Sequence, residues 1–241
     1  MKTDVATQNE AVVTALDECV KNGLLAMDKG ELSTFKRTLS IARAIGDLRS
    51  LLTPKVMEPI MNLQNTSLGF KTDQPSGGYQ LDVVRDCLIE ACLRGVYPIG
   101  NEFNIIARQC YITKEGFGHK LRDVAGLSYT ITPGIPRIAG ENGAIITMAI
   151  DWTYNGKTQT KELQLAIRVN KMMGADAIVG KATRKARAWL YTTVTGQEVG
   201  DGEVEAPIII DVEAGTKERK ESPFEQPLPI DEPASGEQAA Q

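Results

Sequence analysis

Residues 144–169 limit the fold more than any other stretch, because Asn155-Gly156 separates two runs of alternating apolar and polar residues. Asn-Gly suits a two-residue β-turn in which both central residues take positive φ. The register then follows by counting outward. With Tyr154 opposite Lys157, Met148 falls opposite Leu163, Ile146 opposite Leu165 and Ala144 opposite Ile167, so apolar meets apolar on one face. The other face sets Thr147 against Gln164 and Ala149 against Glu162. A slip of one residue destroys this match, and the apolar face requires a covering layer.

The stretch Gly174 to Gly196, GADAIVGKATRKARAWLYTTVTG, supplies a cover. At about 100° per residue, Ala175, Ile178, Val179, Ala182, Ala186, Trp189, Leu190 and Thr193 fall on one arc of a helix. Opposite them lie Lys181, Arg184, Lys185 and Arg187, with Tyr191 between the directions of Arg184 and Arg187. Two readings are open. A cationic side with one aromatic ring suits a polyanion, since Lys and Arg neutralise phosphates and a ring stacks on a base. The plainer reading is the solvated side of a core helix.

Before the hairpin the pattern is mostly helical. Helical spacing over 9–27, 32–52 and 54–65 predicts an N-terminal helical region. The polar, turn-rich stretch 66–78 is the expected boundary. Helix returns over 79–95, with Cys87 and Cys92 on it as buried thiols. The run FNIIARQCYITK, 103–114, reads as one strand, 116–124 as a short helix and 127–131 as another strand. The expected fold class is α+β: a helical N-terminal region (1–75), a core (76–200) with a small antiparallel sheet packed by the amphipathic basic helix, and an acidic tail (201–241). Segment 206–212, APIIIDV, reads as an edge strand or a partner-binding piece, and 215–241 as disordered.

Charge divides along the same lines. The net charge of −4 includes a tail with 11 acidic and 3 basic residues from Asp201 onward, which leaves +4 for residues 1–200. Within Arg94–Gly196, 14 basic residues face 7 acidic ones. Such asymmetry fits an electrostatic footprint followed by an acidic tail. The start, MKTDVATQNEAVV, lacks the apolar core of a signal peptide and no run is long enough for a membrane span, so the expected location is the cytoplasm.

Three stretches carry a resemblance: IEACLRGVYPIGNEFNIIARQCYITKEGF, the hairpin around Asn155-Gly156, and GKATRKARAWLYTTVTG. In this order they resemble the RecT/Redβ-type single-strand annealing recombinases of phages and prophages. The resemblance implies a noncatalytic protein that uses no cofactor, assembles into rings or filaments, and lays single-stranded DNA along a positive groove. Carried onto this chain, Lys181, Arg184, Lys185 and Arg187 would hold phosphates, helped by Lys157, Lys161 and Arg168 of the hairpin, with Tyr191 as a stacking residue. On this reading, replacing Lys181, Arg184 and Lys185 together by alanine leaves the fold intact. The tail is expected to meet a phage exonuclease or a single-stranded DNA-binding protein, or to limit nonspecific DNA contact; a plain linker is the other reading.

Other functions find less support. Gly174 to Lys181 fails the phosphate-loop pattern, because five residues separate Gly174 from Gly180 and Ala182 stands where a hydroxyl belongs. The only histidine, His119, has no nucleophile motif nearby and reads as a surface or hydrogen-bonding residue. No cluster suits a metal. The competing reading is a noncatalytic scaffold or assembly protein whose basic helix meets an acidic protein surface.

Overall fold

The computed structural model describes residues 2–27, 33–74, 76–170, 173–197 and 209–211. In chain order the elements are α1 (Lys2–Met27), α2 (Thr34–Leu51), α3 (Pro54–Met61), α4 (Leu81–Leu93), β1 (Phe103–Ile106), β2 (Gln109–Ile112), α5 (Lys114–Arg122), β3 (Ser128–Pro133), β4 (Arg137–Ile138), β5 (Gly143–Tyr154), β6 (Lys157–Arg168), α6 (Ala175–Thr195) and β7 (Ile209–Asp211). The fold is α+β. The expectation of disorder over 215–241 lies outside the described residues.

The hairpin β5–β6 has the register obtained by counting from its turn, from Tyr154↔Lys157 through Met148↔Leu163 and Ile146↔Leu165 to Ala144↔Ile167. Asn155 and Gly156 both take positive φ, 50° and 73°. Strands run in the order β3-β5-β6-β7, and β4 pairs with β5 beyond β3. Ala144, Ile146, Met148, Ile150, Leu163, Leu165 and Ile167 are all buried beneath α6. Segment 209–211, within the stretch read as an edge strand, pairs with Leu163–Leu165 of β6.

Two sequence expectations need correction. Residues 103–114 do not form one strand; β1 and β2 are antiparallel arms of a tight hairpin, with Ala107 (φ 50°) and Arg108 (φ 64°) at its turn. An outside clamp fixes that turn: Asp73 Oδ2 accepts the Ala107 N–H at 2.9 Å, Tyr79 Oη donates to Asp73 Oδ1 at 2.7 Å, and the Arg108 N–H donates to Tyr79 Oη at 3.1 Å. With neither Gly nor Asn at the turn, the β-branched run conceals it.

The second concerns 66–78, the expected boundary, where described residues pack into the core rather than standing apart. Phe70 is buried and stacks on Phe103 with ring centroids 5.0 Å apart. Gln64 grips the backbone of Tyr79 twice, accepting its N–H at 2.8 Å and donating to its carbonyl at 3.1 Å. Ala44, Leu48, Leu52 and Met57 therefore belong to the same core as α4, the β1–β2 hairpin and the main sheet.

Candidate nucleic-acid interface

α6 begins after the end of β6 and runs back across the sheet. Ile178, Ala182, Ala186 and Leu190 face the strands and are buried, as their spacing requires, and Trp189 meets Trp152 edge to face at 5.6 Å. Ala175 and Thr193, expected on the same arc, are exposed. A left-handed Gly196 (φ 67°) ends the helix, its N–H bonded to the Thr192 carbonyl.

The side opposite the sheet is covered as well, which corrects the expected placement of three residues. α5 packs along α6, and the β1–β2 hairpin stands beside it. Arg184 is 2% exposed, with its guanidinium carbon 4.3 Å from the centre of the Tyr111 ring. Tyr191 is buried, its hydroxyl bonded to Gln197 at 3.0 Å and Lys120 Nζ 4.5 Å above its ring. Arg187 donates to the Lys114 carbonyl, and its guanidinium lies where a Cβ on Gly118 would stand, 2.8 Å from Nη1. Neither Arg184 nor Tyr191 is thus placed to touch an external ligand. Arg184→Ala, expected to leave the fold intact, removes a buried packing group instead.

Two glycines in α5 were the available signal. A Cβ on Gly116 would lie 2.2 Å from the Glu102 carbonyl oxygen, so α5 approaches its neighbours along Gly116 and Gly118 as a side-chain-bearing helix could not. The sequence GFGHK marks close backbone approach on both sides. Thr113 caps α5 by accepting the N–H groups of Glu115 and Gly116, at 3.2 and 3.3 Å.

Lys181 and Lys185 occupy the remaining flank of α6. Lys181 Nζ donates to the Arg168 carbonyl at 3.1 Å and Lys185 Nζ to the Ala166 carbonyl at 3.4 Å. The Val169 N–H bonds back towards the β5 side, to Asn142, so the carbonyls of residues 166 and 168 point away from β5. The two ammonium groups therefore sit on the side of β6 away from β5, past the segment Leu163–Leu165 that pairs with β7, still partly solvated.

Register places the hairpin cations on both faces. Lys161 pairs with Ile150 and Lys157 with Tyr154, which puts both lysines on the face that α6 covers, Lys161 half-buried beside Ile150 and Lys157 exposed at the turn. Arg168 pairs with Gly143 on the opposite face, beside the Ile145–Ala166 pair, and is separated from Lys157 and Lys161 by the sheet. Lys181 and Lys185 thus lie near one end of β6 and Lys161 and Lys157 towards the other, with β7 paired to Leu163–Leu165 between the two pairs. From residue 168 to residue 157 the strand spans about 37 Å at roughly 3.4 Å per residue.

Other ionisable groups are built into the structure. Lys120 donates to the Arg94 carbonyl at 2.6 Å, and burial pulls its ammonium down to about 8, with Arg94 acting in the same direction. His119 lies between two carboxylates, Nδ1 at 2.8 Å from Glu102 and Nε2 at 3.3 Å from Asp123. Burial pushes the Cys87 and Cys92 thiols up to about 12, so they stay protonated at neutral pH. Among the described residues, no group of three or more His, Cys, Asp or Glu is placed to hold a metal, and no helix is long and apolar enough to cross a membrane.

Sequence reasoning missed Arg108. The αL turn on which it sits costs about 1–2 kcal/mol per non-glycine residue, and the Asp73–Tyr79 clamp offsets this and exposes the side chain at the hairpin tip. Comparison with protein-family models, with curated proteins and with solved structures finds no match to this chain.

Proposed function

We propose that the chain binds single-stranded DNA through its sugar-phosphate backbone and promotes annealing of complementary strands without a nucleotide cofactor. One observation carries this reading: β6 carries Lys181 and Lys185 against one end and Lys161 and Lys157 towards the other, two cationic pairs on either side of the segment where β7 pairs. Charges held along an extended strand suit a linear polyanion, and backbone contacts leave base edges free for pairing. The resemblance to RecT/Redβ-type recombinases points the same way, as does the basic balance of residues 94–196. Assembly into rings or filaments belongs to this proposal. So do the contact of the tail with an exonuclease or single-stranded DNA-binding protein, and a cytoplasmic location.

The contact set differs from the one expected at the outset. Lys181, Lys185, Lys161 and Lys157 form it; Arg187 is committed to α5, and Arg168 lies across the sheet. The scaffold reading, in which the same helix meets an acidic protein, loses Arg184 and Arg187 to packing in the same way. Fluorescence anisotropy with a labelled oligonucleotide separates the two. Replacing Lys181 and Lys185 by alanine is expected to weaken binding at least tenfold at low salt, with unchanged circular dichroism and slower annealing. A wild-type protein that ignores oligonucleotides of every sequence at moderate ionic strength contradicts the proposal and favours the scaffold.

A further inference from the structure

α2 turns two large apolar side chains, Phe35 and Leu39, towards water. Ala44 (5% exposed) and Leu48 (2%) mark its packed side, whereas Phe35 is 79% exposed and Leu39 63%. At 100° per residue, Phe35, Leu39, Ala42 and Gly46 fall within one narrow arc opposite Ala44 and Leu48. A Cβ on Gly46 would meet no atom within 4 Å, so the stripe ends in a shallow step. Lys36 and Arg43, both exposed, line one border of the stripe. The other border holds Arg49, paired with Asp86 at 2.9 Å.

An apolar stripe edged by cations calls for an apolar segment edged by acids. The chain contains one. In ESPFEQPLPIDE, residues 221–232, Phe224, Leu228 and Ile230 are the apolar residues, and Glu221, Glu225, Asp231 and Glu232 surround them. Pro223, Pro227 and Pro229 disfavour a helix and pre-set an extended form that loses little entropy on docking. Reach is sufficient. The 13 steps from Asp211, where β7 is held against β6, to Phe224 span up to about 45 Å, against roughly 40 Å across a 200-residue globule.

We infer that segment 221–232 docks on the Phe35–Leu39–Ala42–Gly46 stripe of α2, within one chain or from a neighbouring copy, with its carboxylates against Lys36 and Arg43. The contact uses no nucleic acid and is independent of the proposed function. Helix-in-groove partners are read by i, i+3 and i+4 anchors, and here the helix itself is the anchor-bearing surface.

The test places p-benzoylphenylalanine at position 224 of the full-length chain and maps the photo-adduct by mass spectrometry without DNA. The expected adduct lies within residues 34–46, and its yield falls at least fivefold when Phe35→Asp and Leu39→Asp are combined. Both side chains face solvent, so the fold should persist. Lys36→Glu with Arg43→Glu provides a second variant that spares the apolar stripe and is expected to lower the yield at least threefold. Mixed light and heavy chains show whether the adduct joins one chain or two, and either result supports the contact. An adduct centred on the β6 lysines, or a yield unchanged in both variants, overturns the inference.

Discussion

A guanidinium sealed between a helix and a hairpin has to find its stabilisation locally, and Arg184 finds part of it on the face of Tyr111. Desolvated cation–π contacts contribute about 2 kcal/mol, and truncation also leaves a cavity. Arg184→Ala is therefore expected to lower unfolding stability by about 2–4 kcal/mol in urea, and Arg184→Met, which keeps the volume, by less than half of that. Lys120 gives a pH signature of its own. Its folded value of about 8 lies below its ordinary 10.5, so the unfolded chain binds more protons between these limits. The stability contribution of this residue consequently rises from pH 8 to pH 10.5, and Lys120→Met should lack that rise in denaturation curves across the window. Neither role was legible in the sequence. A helical wheel with one core arc assigns every cation off that arc to water, whereas α6 is buried on two sides, and only Gly116 and Gly118 hinted at the second neighbour.

Turn chemistry separates the two hairpins at the level of elements. β5–β6 was legible to the residue because Asn155-Gly156 suits a turn of two positive φ values and the apolar positions admit a single register. β1–β2 was not, because the same conformation is forced on Ala107 and Arg108 by Asp73 and Tyr79, which lie 28 or more residues earlier in the chain. Opposite substitutions test this contrast. Gly156→Ala is expected to cost about 1–2 kcal/mol, and Ala107→Gly to raise stability by about 0.5 kcal/mol, since relief of the αL strain is partly cancelled by the added freedom of glycine in the unfolded chain. Chemical denaturation reads both. Asp73 adds a dependence on acid: the Tyr79 hydroxyl, and then the Ala107 N–H, hold its carboxyl below the ordinary 3.8. The clamp is thus complete at neutral pH and is lost as pH falls through that lowered value.

For the molecule as a whole, α3, α4, the β1–β2 hairpin and the main sheet share one core, so the cationic strand rests on a rigid base. Composition indicated a basic body and an acidic tail, but the faces on which the cations lie became legible only with register and packing. Lys161 and Arg168 are seven residues apart on one strand and yet face opposite ways. The account depends on the four lysines along β6, and the most direct measurement is the salt dependence of single-stranded DNA affinity, wild type against the variant with Lys157, Lys161, Lys181 and Lys185 all replaced by glutamine. Four phosphate contacts predict a log–log slope of about −2.8, a roughly fiftyfold loss between 50 and 200 mM salt, and a slope near zero in the variant. A folded variant that keeps the wild-type slope and affinity would contradict the account.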